Sequence, residues 1–178
     1  MASHVVLLRG INLGPRNRIA MPALRELFTS AGFEDVRTYV QSGNLVLSSD
    51  ASAARLARDS ERLLADRLGL SVAVIVRTRE ELAEVVRRNP LREVAVNPKR
   101  YQVSFLSAEP SRELVEWCAA VAAPQERVVA ISRELYAWHP EGVARSRLWA
   151  RLAGQDLGVA ATARNWSTVT TLLAMVDE

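Results

Sequence analysis

Cysteine, histidine and lysine are scarce in this sequence, and each scarcity excludes a chemistry. Cys118 is the single cysteine, so no intrachain disulfide and no cysteine-built metal cage can form. His4 and His139, the two histidines, lie far apart without ligand spacing, so no metal site is expected. A Ser-His-acid triad lacks support as well. Ser42 follows Val40-Gln41, whereas a nucleophile elbow needs glycine two residues before the serine. No pair of carboxylates offers itself for acid–base work, since Glu34-Asp35 reads as a solvated turn. No apolar run approaches the ~20 residues that cross a bilayer. Met1-Ala2-Ser3-His4 has no basic segment, and Val5–Leu8 is too short for the apolar part of a signal peptide. The expectation is a soluble, cytoplasmic protein with no membrane partner and no cofactor.

What is present is ordinary globular material. Of 178 residues, 49% are apolar and 24% charged, enough to build a core and too apolar for a disordered chain. The net charge is +3, and its distribution is uneven. Residues 1–78 hold ten arginines against seven acids, while residues 79–178 balance. Lys99 is the one lysine, so the cations are almost all arginine. Arginine suits planar, two-point recognition of anions. Coding bias explains the overall count, and the functional reading attaches only to the loop that carries Arg9, Arg16 and Arg18.

Hydrophobic periodicity predicts the elements. Val5–Arg9 reads as a buried strand ended by Gly10. Met21–Ala31 reads as a helix with Pro22 in its first turn and Gly32 beyond its end. Val36–Val40 and Leu45–Ser48 read as a hairpin across Gln41-Ser42-Gly43-Asn44. A helix over Ser49–Leu68 and a strand over Ser71–Arg77 complete a β-α-β-β-α-β run, the split βαβ pattern of ferredoxin-like units. Thr78 and Glu81 stand at capping-box spacing and open the next helix, which Asn89-Pro90 stops. Tyr101–Ser107, a helix over Pro110–Ala122, the hairpin Val128–Ser132 and Leu135–His139, and a helix over Ser146–Leu152 echo the first half. Cys118 falls on an inner helix face. The last strand is sought at Leu157–Ala161, and an amphipathic helix is predicted over Arg164–Val176. The expected architecture is α+β, with two tandem ferredoxin-like halves over 1–78 and 79–178, antiparallel sheets and a C-terminal helix.

One loop stands out. In a split βαβ unit the first strand's exit and the following hairpin turn lie at the same end of the sheet. The loop from Gly10 to Ala20 and the turn Gln41–Asn44 are therefore expected to be neighbours. Eleven residues is long for such a connection, and long loops in compact domains tend to be functional. This one carries two glycines, two arginines and two asparagines, with Arg9 just before it, and feeds a helix N-terminus, where exposed N–H groups favour anions. It matches neither the Walker nor the dinucleotide pattern. The bland alternative is that Asn12 and Asn44 satisfy backbone groups and the arginines are merely solvated.

Leu7-Leu8-Arg9-Gly10-Ile11-Asn12, Met21-Pro22-Ala23-Leu24-Arg25, Tyr39-Val40-Gln41-Ser42-Gly43-Asn44 and Thr162-Ala163-Arg164-Asn165-Trp166-Ser167-Thr168-Val169 together resemble a large bacterial family, domain of unknown function 1697. The resemblance implies an α+β fold and no particular activity. Members usually carry glycines and a lysine where this chain has Gly14-Pro15-Arg16-Asn17-Arg18, a change that keeps the charge and stiffens the backbone. The resemblance also pairs the first-half motifs with Arg164-Asn165-Trp166. From it follows the expectation of one basic pocket between the halves, lined by Arg9, Asn12, Gln41, Ser42, Asn44, Arg164 and Asn165. Trp166 reads more readily as a core anchor, and for Arg164 and Asn165, placed at an exposed helix start, capping and binding stay open. The expected partner is a small anionic ligand. Sequence-tolerant nucleic-acid binding is the rival, with Tyr39, Tyr101, Phe105, Tyr136 and Trp138 as strand aromatics. An interaction module without a ligand is the third reading. No reaction is legible.

Overall fold

The computed structural model describes residues 1–154 and 156–178. The chain is mixed α+β and divides into two compact units, residues 1–84 with 171–178, and residues 85–170.

The first unit runs β1 (Ala2–Leu8), α1 (Met21–Ser30), β2 (Glu34–Tyr39), β3 (Asn44–Ser49), α2 (Ala53–Leu68) and β4 (Val74–Thr78). The four strands form one sheet in the order β2-β3-β1-β4, with every pairing antiparallel. From Val5 to Leu8 the central strand β1 is continuously apolar because neither of its faces meets water there: Val5, Val6, Leu7 and Leu8 are all buried. Val6, Leu8, Leu45, Leu47, Val74 and Val76 form the face that packs with Leu24 and Phe28 of α1 and Leu56 and Leu64 of α2. Burial of a side chain such as Leu24 or Phe28 contributes about 1.5–3 kcal/mol.

Local signals fix the helix ends. Pro22 sits in the first turn of α1, where its missing N–H costs nothing. Ser52 accepts the Arg55 amide at the start of α2, and Gly69 closes that helix in the left-handed conformation. The four residues expected to open α2 ahead of Ala53 are instead the end of β3 at Ser49, a bend over Asp50 and Ala51, and the cap Ser52. The helix α3 (Arg79–Arg88) begins with a reciprocal capping box. Glu81 accepts the Thr78 amide at 2.9 Å while Thr78 accepts the Glu81 amide at 3.1 Å.

The second unit repeats the element order. It contains β5 (Tyr101–Leu106), α4 (Arg112–Val121), β6 (Arg127–Ile131), β7 (Glu134–Trp138), α5 (Arg147–Leu152) and β8 (Ala161–Asn165). Its antiparallel sheet has the order β6-β7-β5-β8. Leu106, Leu135, Ala137 and Ala161 pack with Leu114 and Cys118 of α4 and Leu148 and Leu152 of α5. On the opposite face Val103 stands between Tyr136 and Arg164 in register. Cys118 is fully buried, and burial raises its thiol pKa, with Arg151 pulling the other way.

The end of the chain departs from expectation. No strand forms over 157–160; the last strand is β8, displaced to Ala161–Asn165, and the final helix α6 covers Trp166–Val176. Arg164 and Asn165 are therefore strand residues. The reason lies in pairing. Each residue from Ala161 to Asn165 has a partner on β5, so the Thr-Ala-Arg-Asn run continues the sheet before the helix can begin. Leu157 packs into the core from an irregular segment instead.

Candidate functional site

At one end of the first sheet β1 runs out at Leu8, and the segment 9–20 turns back over the edge. The sharp turn needs left-handed backbone at Gly10 (φ 71°) and at Asn12 (φ 59°), a conformation that asparagine tolerates better than most residues. The Asn12 side chain then closes the loop. Its Nδ2 donates to the Ile19 carbonyl and to the Gln41 carbonyl, each at 2.9 Å, while its Oδ1 accepts the Ile19 amide at 2.9 Å. A backbone bond from the Asn12 amide to the Asn17 carbonyl closes the inner part. One side chain thus ties the loop to itself and to the 41–44 turn.

The turn is fastened from below as well. The Leu8 amide donates to the Gly43 carbonyl at 2.9 Å. Gly43 has φ 76°, and a Cβ there would lie 2.9 Å from the Leu8 Cβ and 3.3 Å from the Ile11 Cβ. Only glycine fits that approach. Asn44 is fully buried, and its Nδ2 donates to the Tyr39 carbonyl at 3.0 Å. The two segments expected to be neighbours are hydrogen-bonded to each other.

The seven residues expected to line a pocket occupy different kinds of position. Arg9 is half-buried just past β1, with its amide bonded to the Ala73 carbonyl. Gln41 and Ser42 are exposed at the turn. The Asn12 and Asn44 carboxamides bond the backbone, the plainer of the two readings their sequence positions allow. Arg164 is not exposed. It is buried on β8, with Nη1 donating to Thr162 Oγ1 at 2.6 Å and to the Ala163 carbonyl at 2.8 Å. Burial pulls its pKa down to about 10, which still leaves it charged at neutral pH. The Asn165 Oδ1 accepts the Thr168 amide and so caps α6. Trp166 stacks on Tyr101, with ring centroids 4.9 Å apart, and its amide donates to the Pro98 carbonyl.

Residues 9–20 carry three arginines and no acid. Arg16 and Arg18 are exposed, and Arg18 Nε donates to the Gly14 carbonyl. Among the described residues no group of three or more His, Cys, Asp or Glu is placed to hold a metal ion. Among the same residues no helix is long and apolar enough to cross a membrane.

The second unit holds a polar cluster that no motif announces. Glu126 precedes β6, His139 follows β7, and Ser146 caps α5. His139 Nδ1 lies 2.5 Å from Glu126 Oε2, and Ser146 Oγ donates to the same oxygen at 2.6 Å. Glu126 Oε1 accepts the Ala123 amide at 3.0 Å. An ionised carboxylate only accepts, so Nδ1 carries the proton of that bond. Burial pushes the Glu126 carboxyl up, but the bonds from Ser146, Ala123 and His139 outweigh it and leave it below the usual carboxylate range. His139 is fully buried, and its Nε2 has no hydrogen-bond partner among the described residues. The Ser146 hydroxyl donates to the carboxylate and not to an imidazole lone pair, so this is not the relay of a serine hydrolase. A hollow of about 640 Å³ opens beside Glu126 and Ser146. In the sequence His139 stands out only as one of two histidines without ligand spacing, and Glu126 does not stand out at all. Its only local signal was an acid just before a strand.

A family model described as a protein of unknown function, DUF1697, matches residues 1–136. The chain belongs to the DUF1697 family. That match contains the whole of the loop and turn. Among solved structures this DUF1697 protein is similar to the conserved bacterial protein SP0830 from Streptococcus pneumoniae. Identity is 21%, the coverage is 98% of each chain, and the TM-score is 0.78. At that identity the likeness speaks for the fold. No curated protein matches this DUF1697 chain significantly.

Proposed function

We propose that this DUF1697 protein binds a small anionic ligand, phosphate- or carboxylate-bearing, at the end of its first sheet. The observation that carries the reading is the clamp of Asn12 on Ile19 and Gln41, which holds an acid-free, arginine-bearing loop against the turn. Preorganised donors bind with less ordering cost than mobile ones. In this reading Arg9 and the exposed Gln41 and Ser42 meet the ligand, Arg9 by its guanidinium and the other two by neutral donors. Asn12 and Asn44 are positioning residues. Arg164 and Asn165 serve β8 and α6, where their polar atoms are already engaged.

The recurrence of one element order and one strand order in both units supports a second inference, that each unit is a ferredoxin-like repeat. The protein acts, in this proposal, in the cytoplasm. Nucleic-acid binding through strand aromatics has less support, because Tyr101, Phe105, Tyr136 and Trp138 are buried and offer no open stacking face.

A thermal-shift panel of inorganic phosphate, nucleotides, sugar phosphates and dicarboxylates tests the reading. One class should raise the melting temperature saturably in the wild type and not in Arg9→Ala. An unchanged response in Arg9→Ala would place the site elsewhere.

A further inference from the structure

We propose that the hollow of the second unit is a separate binding site for a small zwitterion, one that carries a primary ammonium and a carboxylate on a compact apolar body, as a free amino acid does. The volume, about 640 Å³, falls in the range of small-molecule pockets. Its chemistry is divided. Glu126 lines it and is nearly buried, at 9% exposure, whereas Arg145 and Arg147 line it and are exposed. The anion is therefore the buried part of the lining and the two cations its solvent-facing part. Val121, Pro140 and Ala144 add apolar lining.

Glu126 is fitted to receive a cation. Ser146, the Ala123 amide and His139 direct three donors at its two oxygens, which fixes the carboxylate in place and keeps it ionised. A carboxylate has about four acceptor positions, three of which these donors take, and Glu126 lines the hollow, so a ligand donor has one left to use. An ammonium there would meet a desolvated anion, where a charge-assisted bond is stronger than in water. A carboxylate on the same ligand would reach the arginine rim. A ligand with only one of the two charges satisfies only one end. Glu141, exposed on the same wall, disfavours a ligand with two negative charges.

The test is an NMR titration of the full chain labelled with 15N. The probes are L-alanine, L-leucine and L-methionine. The controls are 3-methylbutylamine, which is leucine without its carboxylate, and 4-methylpentanoate, which is leucine without its ammonium. At least one amino acid should shift the amides of residues 123–126 and 140–147 saturably, with both controls about tenfold weaker or more. Substitution of Glu126 loosens the segments it ties, so the exposed arginines make the decisive variant. Arg145→Ala with Arg147→Ala should weaken the amino acid about tenfold and leave the amine unchanged. No saturable shift with any of the three overturns the proposal. So does an amine that binds as tightly as leucine, or a double variant that binds leucine as the wild type does. Shifts at residues 9–20 and 41–44, produced by inorganic phosphate, report the first-unit site independently.

Discussion

Replacing Asn12 by alanine removes three hydrogen bonds with one cut. Two backbone carbonyls, those of Ile19 and Gln41, lose their donor, and the Ile19 amide loses its acceptor. Each bond contributes about 0.5–1.5 kcal/mol net. The site is half-buried, so water re-solvates some of the freed groups. Alanine must also hold φ near 59°, which costs about 1 kcal/mol more than asparagine requires there. The sum is a loss of about 2–4 kcal/mol. Urea unfolding measures it as a lower midpoint at unchanged slope. Asn12→Gly separates the terms, because glycine relieves the backbone cost and leaves only the hydrogen-bond loss. Asn12→Asp should still be less stable than wild type: its carboxylate keeps the Ile19 amide but cannot donate to either carbonyl and sets a negative charge against both. Hydrogen exchange at the Ile19 amide gives a local reading and should accelerate in the alanine and glycine variants, which remove its acceptor, and less in Asn12→Asp, whose carboxylate still accepts it. An Asn12→Ala protein within about 0.5 kcal/mol of wild type, with Ile19 still protected, would refute the clamp.

Gly43→Ala should destabilise by about 2–4 kcal/mol, from left-handed strain plus a Cβ 2.9 Å from Leu8, whereas Gly10→Ala meets no atom within 4 Å and pays strain alone; urea midpoints rank the two. Thr78→Ala and Glu81→Ala should each cost about 1 kcal/mol, and the double variant less than their sum, because they break one reciprocal cap. Glu126 has a folded-state pKa below its unfolded value, so its stabilisation is present above the ordinary carboxyl range near about 4 and is lost as pH falls through the depressed folded value. Glu126→Gln should therefore be less stable at neutral pH and show a flatter acid limb, read by chemical unfolding between about pH 2 and 6.

The strands and helices were largely legible because their periods and caps are local. The Thr78–Glu81 box, Pro22 in α1 and Gly69 after α2 each act within a turn or two of chain. The neighbouring of the loop and the 41–44 turn was legible from topology alone, and the Asn12–Gln41 bond realises it. What the sequence hid was long-range. The start of β8 depends on pairing with β5 across some sixty residues, which no window around Leu157 contains. Arg164 falls at the exposed start of the helix predicted over Arg164–Val176, yet it lies inside, on a strand, with Thr162 and the Ala163 carbonyl as partners. Glu126, His139 and Ser146 come from three separate elements, so their cluster has no spacing to read.

The central claim, that the Asn12-clamped end of the first sheet receives an anion, is tested most directly by titrating 15N-labelled protein with inorganic phosphate at fixed ionic strength. Saturable shifts confined to the Arg9 guanidinium and to the amides of residues 9–20 and 41–44, abolished in Arg9→Ala, are the predicted result. Shifts spread over arginines of both units, growing linearly with phosphate and unchanged in Arg9→Ala, would contradict it.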